Sequence, residues 1–92
     1  MMNKSNKKRV EFSPIFTNKL EKVPLEIKIA FRETLETFLE DHYHLSLRNH
    51  ILTEEYAGIR SINVTGDWRA LYREETERII FIELGTHEEL YG

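Results

Sequence analysis

GDWRALYREETERIIFIELGTHEELYG, residues 66–92, reads as two strands joined by a tight turn and followed by a short tail. The first strand opens at Asp67-Trp68-Arg69 and carries Tyr72 and Arg73. The turn is Glu75-Thr76-Glu77, and the second strand, Arg78 to Leu84, holds the apolar run Ile79-Ile80-Phe81-Ile82. The start of one antiparallel strand lies beside the end of its partner, so Asp67 to Arg69 and Gly85 to His87 are expected to be neighbours in space. An acid, an indole, a guanidinium and an imidazole therefore gather where the two strands begin and end, with the phenol of Tyr91 just beyond.

Side chains alternate along a strand. Trp68, Ala70 and Tyr72 share one face, and Arg69, Leu71 and Arg73 share the other. Ala57 to Val64 forms a further strand, joined to Trp68 across Thr65-Gly66-Asp67, whose composition suits a turn. Placing Ile62 and Val64 under the helices leaves Ser61 and Asn63 beside Arg69 on the open face; alternation alone leaves the two faces interchangeable. Towards the start of the chain, Lys8-Arg9-Val10-Glu11-Phe12-Ser13 alternates as a half-buried strand. Ser13-Pro14 reads as an N-cap and first helical residue, and Val23-Pro24 ends that helix. A longer amphipathic helix starts at Pro24, with Ile27, Phe31, Leu35 and Phe38 spaced three or four apart. His42 to Glu55 has no clean period and reads as a loop, and residues 1–7 read as a flexible basic tail. The expected fold is α+β: a single domain over residues 1–92, β-α-α-β-β-β, with an antiparallel sheet of about four strands and a two-helix hairpin on one face.

Ninety-two residues support one hydrophobic core. No apolar run approaches the roughly 20 residues that span a bilayer, and the polar, basic start has no secretory h-region; a cytoplasmic protein is expected. The absence of cysteine excludes a disulfide framework, thiolate zinc and a cysteine nucleophile. Net charge is −3 and the pI about 5.8, whereas nucleic-acid-binding domains are usually basic. The charge is unevenly spread, however. Lys4, Lys7, Lys8 and Arg9 make a basic arm, and Arg48, Arg60, Arg69 and Arg73 with His42, His44 and His50 face only Glu54, Glu55 and Asp67 in the middle of the chain.

Arg69 stands out as a charge between Trp68 and Leu71 near the start of a central strand. Its planar fork fits a phosphate and would stabilise the extra charge of a pentacoordinate phosphorane. His87, in the short tail, and His50, in the loop before the second strand, carry imidazoles suited to proton transfer in either direction near neutral pH. Asp67 can orient a histidine or simply make a turn. Tyr91 can meet substrate or close the core, and Trp68 can stack a base or pack inside. No compact histidine spacing of a metal site is present.

Taken together, His50-Ile51-Leu52, Gly58 to Val64, D-W-R-x-x-Y from Asp67 to Tyr72 and G-T-H-x-x-L-Y from Gly85 to Tyr91 resemble the RelE/ParE toxin superfamily, in its branch of RelE/YafQ-type mRNA interferases of bacterial type II toxin–antitoxin systems. That resemblance implies a metal-independent endoribonuclease, with no cofactor, that cuts mRNA on the ribosome through attack of the 2′-OH. It assigns catalytic positions to His50, Asp67, Arg69, His87 and Tyr91, and a substrate contact to Trp68; the cations Arg48, Arg60 and Arg73 are expected to bind substrate beside it. It also implies a cognate antitoxin as partner, in a higher-order toxin–antitoxin complex. Two positions depart from the family pattern: Asn63 stands where YafQ-type members tend to have a histidine, and Glu83 where a basic residue is often found. The same fold also carries ParE-like toxins that bind DNA gyrase without catalysis, and a degenerate relative would bind only its antitoxin.

Overall fold

A computed structural model describes residues 8–53 and 56–92. The basic tail expected over residues 1–7 lies outside the described residues. The chain begins with strand β1 (Arg9–Phe12), helix α1 (Pro14–Lys22) and helix α2 (Leu25–Glu40). A single 3-10 turn (Leu45–Leu47) leads to β2 (His50–Ile51), and β3 (Ile59–Asn63), β4 (Trp68–Glu74), β5 (Arg78–Thr86) and helix α3 (His87–Tyr91) complete it. The fold is α+β, as the sequence predicts.

The sheet has five strands in the order β1-β5-β4-β3-β2, one more than expected, and it is mixed. β1 pairs parallel to β5, with Phe12 opposite Phe81, while the other pairings are antiparallel. The additional strand, β2, lies inside the stretch that reads as loop. Two residues are too few to show a period, and only pairing of His50 with Ser61 makes them a strand. The expected tail after β5 is likewise a short helix.

Ser13 caps α1 as its sequence implies. Its hydroxyl oxygen accepts from Phe16 N at 3.0 Å, and its own N–H donates to Phe81 O at 2.9 Å, tying the helix start to β5. All five phenylalanines of the protein then meet over one sheet face. Phe81 is their centre, with ring centroids 5.5–5.7 Å from Phe12, Phe16, Phe31, Phe38 and Tyr72. Such spacing is that of attractive aromatic packing. Val23, Ile27, Leu47, Ile62, Ala70, Ile79 and Leu84 fill the remainder of this core, and Val64 and Trp68 are among the residues that pack on its margin. The face expected to lie under the helices is therefore the one that does.

A bulge in β5 sets what the opposite face carries. Leu71 pairs with Glu83 but Tyr72 pairs with Phe81, so Ile82 is an extra residue. It shifts the alternation by one. Phe81 and Leu84, three apart, both enter the helix-side core, and Glu83 and Gly85 turn to the outer face.

Candidate functional site

α3 is five residues long, and so short a helix is not stable by itself. Its start is held by a capping box. Glu89 N donates to Thr86 Oγ1 at 3.1 Å, and Thr86 N donates to Glu89 Oε1 at 3.0 Å. That backbone donor, followed by Lys19 Nζ at 3.2 Å, holds the Glu89 carboxyl below its ordinary range. His87 N donates to Asp67 O at 3.0 Å, so the β3–β4 turn and α3 are joined at the two residues the sequence singles out. In that turn Asp67 N and Trp68 N both donate to Thr65 Oγ1.

From Thr86, α3 folds back over the outer face. Leu90 settles on Gly85, where a side chain would have no room: a Cβ there would meet Leu90 Cγ and Cδ2 at 3.2 Å and Glu89 Oε1 at 3.0 Å. Tyr91 reaches β3, donating from its hydroxyl to Ser61 Oγ at 3.1 Å. Because β4 lies between β5 and β3, α3 crosses over it, and Leu71 beneath is fully buried. The His87 and Tyr91 rings, one helical turn apart, meet edge to face at 4.7 Å.

His50 enters from the other side. It is the cross-strand partner of the same Ser61 that Tyr91 contacts. Its Nδ1 lies 2.9 Å from Arg48 O. A carbonyl can only accept, so Nδ1 carries the hydrogen and Nε2 of the neutral ring is left as an acceptor. Arg48 adopts a left-handed conformation, φ 48°, at the end of the 3-10 turn, and is exposed. This loop is pinned from the helix face by Asn49. Its Nδ2 donates to Tyr72 OH at 2.7 Å and His42 O at 2.8 Å, and its Oδ1 accepts from Arg60 Nε at 2.8 Å.

Arg69 stands between Asn63 and Gly85 in the register, half-buried on the outer face. It makes no ion pair among the described residues, with Asp67, Glu83 or any other acid. Its Nη1 and the neighbouring Asn63 Oδ1 are both buried without a hydrogen-bond partner, an arrangement that is costly in a purely structural setting.

Of the nine residues singled out by sequence, the structure thus brings His50, Asp67, Arg69, His87 and Tyr91 to the outer face and its α3 end. Arg73 is also on the outer face, further along β4, where its Nε lies 3.5 Å from Glu75. Arg60 is on the opposite face, held by Asn49 and placed 5.3 Å from the centre of the Tyr43 ring. Trp68 packs beside the helix-side core with Lys19 Nζ 6.0 Å from its ring centre. Asn49 and Tyr56 also hold this region together and are invisible in the sequence, because an amide and a phenol in an aperiodic stretch carry no signal until their partners are known.

A family model described as the bacterial toxin of type II toxin–antitoxin system, YafQ, matches residues 7–92. No curated protein sequence matches. Among solved structures, YafQ from E. coli strain BL21(DE3) superimposes with a TM-score of 0.78 at 19% identity, covering 92% of this chain and 99% of that one. The E. coli DinJ–YafQ toxin–antitoxin complex gives 0.69 at 20% identity over 94% and 99%. The toxin–antitoxin complex RelBE2 from Mycobacterium tuberculosis gives 0.65 at 24% identity over 87% and 98%. At these identities the structural likeness speaks for the fold.

Proposed function

The chain belongs to the family of YafQ toxins of bacterial type II toxin–antitoxin systems, and from that premise we propose that it is an endoribonuclease acting on mRNA at the ribosomal A site. The substrate 2′-OH attacks the adjacent phosphorus, the bond from phosphorus to the 5′-oxygen breaks, and a 2′,3′-cyclic phosphate and a free 5′-OH result. No metal ion or cofactor is required in this reading.

The observation that carries it is the continuous set of contacts from Asp67 through His87 and Tyr91 to Ser61 and His50. In this reading the two imidazoles serve one surface with Arg69, whose guanidinium pairs with no carboxylate among the described residues. His50, with Nε2 available, takes the proton of the 2′-OH, and His87 returns one to the leaving 5′-oxygen. Arg69 stabilises the charge that builds on the phosphorane. Asp67 fixes the approach of His87 through its carbonyl. Tyr91 flanks the reacting group, while Arg48 and Arg73 on the exposed rim contact the flanking RNA; Trp68, packed on the margin of the helix-side core, supports the start of β4 instead of lining this face. Arg60, committed on the other face, holds the Asn49 loop.

The chain acts in the cytoplasm, and a cognate antitoxin covers the outer face in the resting complex. The DinJ–YafQ and RelBE2 complexes, which share the fold, support that partner. Glu83 on the outer face and Asn63 beside Arg69 favour, as a second reading, a relative with weakened or lost catalysis, since a carboxylate near the phosphate would repel it.

Induction in a bacterium followed by mapping of mRNA 5′ ends tests this. Cuts in the reading frame that vanish in His87→Ala and Arg69→Ala are expected. Growth arrest with intact mRNA and a DNA-damage response would instead mark a gyrase poison, and no toxicity at all a degenerate member.

A further inference from the structure

The capping box secures only the start of α3. The last carbonyls of any helix have no partner inside it and must find one elsewhere. One of them, Leu90 O, accepts from Tyr56 OH at 3.1 Å. Tyr56 lies between β2 and β3, far from α3 in the sequence, and sets its ring edge-on to Tyr91 at 6.2 Å and 88°. Tyr91 is also the residue that reaches Ser61 with its hydroxyl and His87 with its ring.

We infer that Tyr56 is a positioning residue: by clasping the last turn of α3 it holds Tyr91 on Ser61 and, through Tyr91, fixes the orientation of the His87 imidazole. The inference rests on the reading of His87 as the proton-transfer group. The capping box keeps the His87 backbone in place whether or not Tyr56 is present. What Tyr56 governs is the ring. Without the bond to Leu90 O the final turn frays, Tyr91 leaves Ser61, and the imidazole loses the surface that selects its rotamer. Leu90 keeps its packing on Gly85 when the Tyr56 hydroxyl alone is removed, so the fold survives.

Tyr56→Phe deletes only the donor, and Tyr56→Ala deletes donor and ring. The imidazole resonances of His87 in the free protein, which sense the ring current of Tyr91, are compared with kcat and KM for cleavage of ribosome-bound mRNA. Tyr56→Phe is expected to move the His87 resonances, leave those of His50 in place, and lower kcat about fivefold with KM unchanged, the scale of one lost hydrogen bond. Tyr56→Ala should do more of the same, and if it does not fold the Tyr56→Phe result stands alone. Unchanged His87 resonances and kcat in the folded Tyr56→Phe protein overturn the inference. So does a change confined to KM, which would make Tyr56 a substrate contact. If the resonances move but the wild-type protein cuts no mRNA, the positioning role stands and the nuclease reading falls.

Discussion

Gly85→Ala tests the packing of α3 and the chemistry together. Gly85 is fixed in the ladder opposite Arg69, and it does not occupy a left-handed conformation, so alanine fits the backbone. The conflict is with α3. The added methyl would stand 3.2 Å from Leu90 Cγ and Cδ2 and 3.0 Å from Glu89 Oε1, where comfortable carbon contacts are roughly 3.5–4.0 Å. The shortfall is therefore about 0.3–0.8 Å at Leu90, the residue that anchors the helix, and the carboxylate of its cap is crowded as well. Overpacking of this kind costs about 1–3 kcal/mol, and each kcal/mol lowers Tm by roughly 4–8 °C in a domain of this size. The strain is relieved if α3 lifts, carrying His87 and Tyr91 with it. A displacement near 1 Å can cost on the order of 100-fold in rate. Thermal melting and single-turnover cleavage of ribosome-bound mRNA read the two effects. A modest fall in Tm with a 10- to 100-fold fall in rate is expected on that basis. Cutting at the wild-type rate with an unchanged Tm would refute the close seat of α3 on the sheet.

Phe81→Ala removes the ring on which the other aromatic side chains converge and should cost about 3–5 kcal/mol, a large part of the roughly 5–15 kcal/mol available to a small domain. Urea denaturation measures it, and a loss near zero would mean the cluster is not packed. The His42 ring stacks on Phe38 at 4.2 Å, and burial pushes its pKa below the ordinary 6.5, Glu74 only partly opposing. A depressed folded pKa means that this stability is full above about 6.5 and is lost as the pH falls through the window below it. Wild-type Tm should therefore drop more steeply below pH 6.5 than that of His42→Phe, which keeps the stacking. Parallel curves would exclude the contribution.

Much of this architecture was open to reading in the chain. Ser13-Pro14 and Val23-Pro24 bound α1 because capping and the missing proline N–H are local effects. The apolar spacing of α2 and the alternation of β3 and β4 follow from the geometry of a single element, so it was legible that Trp68, Ala70 and Tyr72 share one face and Arg69, Leu71 and Arg73 the other; which face the helices cover was decided only by packing. The β4–β5 hairpin is also local, and it correctly makes Asp67 and Arg69 neighbours of Gly85 and His87.

What the chain could not disclose depends on partners distant in sequence. Nothing in Arg9 to Phe12 says that they pair parallel to β5, and His50-Ile51 is a strand only because Ser61 and Arg60 lie alongside. The bulge at Ile82 reverses the alternation, so a strict period of two after Phe81 would have put Glu83 and Gly85 under the helices. Arg60 has the same charge as Arg69 but finds Asn49 on the far face, a difference set by strand parity and by the loop that folds beneath it. The site has the same origin. Its residue types are written along the chain, but Tyr56, Ser61 and Tyr91 meet only after the sheet has formed, because contacts between side chains thirty or more residues apart are fixed by packing rather than by any local preference.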